Sequence, residues 1–214
     1  GRTEAEPSPY LYYGHLIHSI DIDGILNASD SGQLVKSVEG SPYEAVLARN
    51  MDRIKNEHQM FYVELELDSL FYSSLMEKTE KLSGRDRQVA ERVIQVEVDL
   101  ENIDRIVRFV SFYNSDERLA WNVFLPGGSI DTEVLREAFR QSGAEEALNV
   151  LLTQRYSRYQ GFSGEHKSNP YTRLNLVENL LRQILNDEVQ RLLRGYPFTI
   201  GTVLAYVFLK RKEI

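Results

Sequence analysis

Val89-Ala90-Glu91-Arg92-Val93-Ile94-Gln95-Val96-Glu97-Val98-Asp99-Leu100-Glu101-Asn102-Ile103-Asp104-Arg105-Ile106-Val107-Arg108-Phe109-Val110 is the stretch on which the fold turns. Val89, Val93, Val96, Leu100, Ile103, Val107 and Val110 stand alternately four and three residues apart, which draws an apolar seam along one side of a long helix. The window Ile94 to Leu100 alternates strictly and would also suit a strand. The longer period favours the helix, as do Glu101 with Arg105 and Asp104 with Arg108, acid-before-base pairs at the i,i+4 spacing. With the seam turned inward, Glu97, Asp99, Glu101 and Asp104 fall on the other side, and a solvated charged face is expected there.

Outward from this helix the chain reads as further helices with clear punctuation. Ser41-Pro42-Tyr43-Glu44 has the form of a capping box with proline at the first helical position, so a helix over about 42–56 is expected, with Tyr43, Val46, Leu47 and Ile54 inward. Another is expected over about 66–82, stopping near Ser83-Gly84. Asn114 to Gly128 reads as a linker ending in Leu125-Pro126-Gly127-Gly128, and short helices follow at about 131–141 and 144–157. A long helix from Pro170 to Arg194 stops at Gly195 and Pro197, and a last one, about 199–214, begins apolar and ends basic.

The chain also nearly repeats itself at an offset of 110 residues. Ser19-Ile20-Asp21 recurs as Ser129-Ile130-Asp131, and Leu67, Leu70, Phe71, Leu75 and Leu82 recur as Val177, Leu180, Leu181, Leu185 and Leu192. Asp99-Leu100 closes one copy and Glu213-Ile214 the other. The expected organisation is a helical repeat with an N-terminal arm at 1–113, a linker at 114–128 and a second helical repeat at 129–214. The fold class is all-α, as tandem related helical bundles.

Composition narrows the function. A chain of 214 residues buries roughly 70 to 75% of its unfolded surface, enough for a packed core. The formal net charge of −7 argues against general nucleic-acid binding. Residues 171–214 nevertheless hold seven Lys or Arg against four Asp or Glu, a basic end on an acidic body. The absence of cysteine excludes disulfides, thiolate metal sites and thiol nucleophiles. The longest apolar candidate, Phe198 to Leu209, is too short and too interrupted to span a bilayer. The opening Gly1 to Pro7 has neither an initiator Met nor an apolar signal region.

Chemistry-bearing patterns are sparse. His15 and His18 with Asp21 and Asp23 contain metal-ligand types, but without the HExxH pattern, and the acids sit where a helix start would use them as caps. No GxxxxGK[ST] or GxGxxG loop is present to cradle a phosphate. The Tyr10, Tyr12 and Tyr13 cluster reads as packing of an N-terminal arm. No catalytic, cofactor-binding or metal-binding residue is therefore assigned, and no cofactor is expected.

Tyr196 to Ile214 resembles the terminal signature of the C subunit of rotary V/A-type proton- or sodium-transporting ATPases, called d in eukaryotes. Val96 to Arg108 resembles that family's recurring segment of acidic residue, Leu, Asn and a following Arg, and Gly40-Ser41-Pro42-Tyr43 its Gly-Thr-Pro-Tyr helix start. The resemblance implies part of a funnel of three similar helical domains, a non-catalytic central-stalk component between the rotating axle and the membrane proteolipid ring. It implies a cytoplasmic place, peripheral on the membrane through protein contacts alone. It also implies a further repeat before Gly1, a longer last helix than one ending at Ile214, and proline where Thr202 follows Gly201. Lys210, Arg211 and Lys212 are the expected partner-binding residues. Two other readings are a free-standing helical adaptor using the 89–110 seam as its docking face and, less favoured, a carboxylate-histidine metalloenzyme.

Overall fold

The computed structural model describes residues 17–55, 60–112, 124–160, 170–194 and 198–211, and among them helices are the only regular elements. By contact the chain forms two compact units, Gly1–Glu64 and Leu65–Ile214.

The first unit is a set of short capped helices: α1 (Ile22–Leu26), α2 (Ser31–Lys36), α3 (Glu44–Arg49) and α4 (Met51–Ile54). Asp21 caps α1 by accepting from the Gly24 amide at 2.8 Å, and Asp30 caps α2 by accepting from Gln33 at 2.9 Å. Each cap satisfies an amide that the first helical turn leaves without a partner. The single helix expected over 42–56 is divided at Asn50, whose side chain donates to the Val46 carbonyl and accepts from Arg53. Such local bonding by asparagine competes with the helical ladder. The capping box expected at Ser41 does not form in that register: α3 begins at Glu44, the Ser41 hydroxyl accepts from the Tyr43 amide at 3.3 Å, and Glu44 reaches one residue further back, to the Gly40 amide at 2.7 Å. Val46 and Leu47 are buried, whereas Tyr43 and Ile54 are half-buried.

The second unit is organised around one helix. α5 (Met60–Thr79) begins in the first unit and runs into this one, and α6 (Gly84–Phe112) follows. With 29 residues α6 is about 43 Å long at the α-helical rise. After it come α7 (Thr132–Phe139), α8 (Ala144–Leu152), a 3-10 turn at Ser157–Tyr159, α9 (Pro170–Leu193) and α10 (Ile200–Arg211). α7, α8, α9 and α10 all pack on α6. Val89, Val93, Val96, Leu100, Ile103 and Val107 are buried, so the seam is core. Burying such a side chain contributes about 1.5 to 3 kcal/mol.

The charged face expected on α6 is overturned at Glu97 and Asp99, while Glu101 and Asp104 are half-buried. Glu97 and Asp99 have no exposed surface and Asn102 almost none. Helices pack on more than one side of α6, so its second side is also interior, and a polar residue there survives by making hydrogen bonds. Of the two expected i,i+4 pairs, Arg108 bonds Asp104 at 2.8 Å, while Arg105 pairs with Asp68 on α5.

Candidate functional site

Two features of the second unit bear on function: the polar anchor that fixes the chain after residue 124 onto α6, and the outer surface of α10.

The anchor begins with Asn102, which donates to the Leu125 carbonyl at 3.0 Å and accepts from the Leu125 amide at 2.7 Å. One turn earlier on α6, Asp99 accepts four hydrogen bonds. They come from the Ser129 amide at 2.6 Å, the Ser129 hydroxyl at 2.5 Å, the Ile130 amide at 3.0 Å and the Tyr156 hydroxyl at 2.9 Å. Gly128 is required by this approach, because a Cβ there would stand 2.5 Å from Asp99 Oδ1. Burial raises the Asp99 carboxyl above its ordinary value, and the four donors only partly oppose it. Burial and the adjoining Asp99 charge push the Tyr156 hydroxyl up in the same way.

A second buried carboxylate ties α9 to its neighbours. Glu188, almost without exposed surface, meets Arg92 of α6 at 3.3 Å, Arg158 of the 3-10 turn at 3.3 Å and Arg191 of its own helix at 2.7 Å. Next to it Asp187 accepts from the Tyr159 hydroxyl at 2.7 Å. Burial and that bond raise Tyr159 to about 12. These groups are held by opposite charges and hydrogen bonds, an arrangement that fixes geometry. Along α6 and α9, Leu100, Asp104, Arg108, Glu178, Leu181, Arg182 and Leu185 line a cavity of about 290 Å³, crossed by the Arg108–Glu178 pair at 2.6 Å.

α10 is built to lie close against α6. The Asp86 carboxylate accepts from the Ile200 amide at 3.1 Å, capping the first turn. Gly201 lies so near Val89 that a Cβ would come within 2.2 Å of Val89 Cγ1 and 3.2 Å of the Val89 carbonyl carbon. Gly201, Ala205 and Phe208 form the buried side. The opposite side is also apolar: Ile200 is 41%, Val203 56%, Tyr206 62% and Val207 46% exposed. This outer face was not singled out from the sequence, although a helix apolar all round is the signal that would have found it.

Of the expected partner-binding residues, Lys210 lies on α10 with its ammonium 5.9 Å from the Tyr206 ring centre. Arg211 is the last described residue of that helix; its side chain and Lys212 lie outside the described residues. His18 stacks edge-on against Tyr43 at 5.7 Å and Asp21 is used in capping, while His15 and the tyrosines at 10, 12 and 13 lie outside the described residues. Among the described residues no three His, Asp or Glu side chains gather as a metal site, and no helix is long and apolar enough to cross a membrane.

The pattern of the ATP synthase (C/AC39) subunit family matches residues 3–214. The chain belongs to that family. Among its relatives, the C subunit of the A-type ATP synthase of Thermococcus gammatolerans is 25% identical over 193 residues, covering 90% of this chain and 50% of the relative. Its counterpart of the same name from Pyrococcus horikoshii is 22% identical over the same share of each. That of Methanobrevibacter smithii is 22% identical across the whole chain and 55% of its own length. The chain thus spans about half the length of the curated relatives it matches. No solved structure gives a significant match.

Proposed function

We propose that this chain is, or forms part of, a non-catalytic central-stalk rotor subunit linking the rotating axle of a V/A-type ATPase to its membrane proteolipid ring. The observation that carries the reading is the family match along 3–214, with relatives that are named as C subunits of A-type ATP synthases. The fold supports it physically. A part that transmits torque needs long helices whose register cannot slip, and hydrogen-bonded buried polar groups penalise every wrong register. Asp99, Asn102 and Glu188 do this along α6 and α9. Its place is then peripheral, bound to the membrane through protein contacts.

The same reading takes 1–113 and 129–214 as related helical repeats joined by the linker 114–128, two parts of a funnel-shaped pseudo-threefold array. A matching element start supports it: α1 begins at Ile22 behind Asp21 and α7 at Thr132 behind Asp131, 110 residues apart. The alternative of a free-standing adaptor docking through the 89–110 seam loses its surface, because that seam is buried.

Co-purification with axle and ring tests the assignment. Changing Lys210, Arg211 and Lys212 to Glu is expected to weaken rotor assembly and its salt sensitivity while leaving the helical content unchanged. Assembly at the unmodified yield removes these residues from the interface, and failure of the unmodified protein to bind either partner rejects the rotor reading.

A further inference from the structure

We draw no further inference here: the strongest candidate, the apolar outer face of α10 at Ile200, Val203, Tyr206 and Val207, belongs to a chain that spans about half the length of its curated relatives, and nothing in the structure shows what covers it.

Discussion

Replacing Asp99 with alanine removes the acceptor for two backbone amides, Ser129 and Ile130, and for two hydroxyls, Ser129 and Tyr156. Ile130 and Tyr156 are buried, so their donors are left dry, at about 2 kcal/mol each. Ser129 is partly exposed and its hydroxyl also accepts from Arg155, so water and Arg155 hold its loss to about 1 kcal/mol. The expected cost is about 5 kcal/mol, a large share of the roughly 5 to 15 kcal/mol that keeps a domain folded. Asp99→Asn is the control: its carbonyl oxygen can still accept from both amides, and the two hydroxyls need only turn to accept from its amide group, a change worth about 1 kcal/mol. Urea unfolding followed by far-ultraviolet circular dichroism measures both variants. Midpoints for alanine and asparagine that agree within the error of the extrapolation would show that Asp99 does not hold the Ser129–Ile130 segment, and the anchoring argument would fall.

The remaining expectations follow from the same packing. Because the folded state raises the Asp99 carboxyl above its ordinary 3.8, the stabilisation from binding that proton is complete below 3.8 and is lost as pH rises through the folded value. The stability of the unmodified chain relative to Asp99→Asn should therefore fall with rising pH in that window, and urea midpoints that move the other way would contradict the cause given. Gly201→Ala should push α10 off α6 at a cost of about 1 to 3 kcal/mol, and adding Val89→Ala should recover part of it because the clash is mainly with the Val89 methyl group; thermal unfolding reads both. Val96→Asp should cost about 3 to 5 kcal/mol by burying an unpaired charge, and an unchanged melting temperature would mean that the seam is not core.

The helices were legible because their signals are local. The 3.5-residue period from Val89 to Val110 marks α6, whose described span contains the whole apolar seam and begins a few residues before it. α10 starts within a residue of its sequence-based bound, and the residues described from Pro170 to Leu193 are helical as the sequence expects. The second side of α6 was misread because periodicity identifies the most apolar side of a helix and says nothing of how many neighbours it has. Asp99 and Asn102 look like solvent residues until the chain near 125–130 is placed against them, and Glu97 beside them has no exposed surface. Asn50 divides its helix through side-chain bonds that no spacing rule encodes. The outer face of α10 was hidden for the opposite reason: its apolar residues read as core, and only their exposure separates a covered face from an open one.

The polar anchor and the apolar faces divide the work of holding one helix on another. Apolar contact between α6 and α9 supplies most of the attraction, but leucine and valine tolerate many registers, and a slide of one turn would still bury comparable area. Asp99 does not tolerate a slide of α6 against the chain at 129–130 and at Tyr156. A shift of one turn, about 5.4 Å, carries the carboxylate out of reach of both amides and of Tyr156, stranding every donor it satisfies. Glu188 adds the same constraint between α6 and α9 through Arg92, because pulling that pair apart leaves a carboxylate buried beside two arginines that already share it. Sliding is therefore opposed by discrete penalties instead of a smooth slope, and resistance to slip is what a rotor component needs if torque is to pass along its helices. The exposed face of α10 has the apolar half of this arrangement among its described residues. An occupant held there by Val203 and Val207 alone would bind without a fixed register, so a polar contact from the far end of the helix is the next requirement of any stiff junction at that surface.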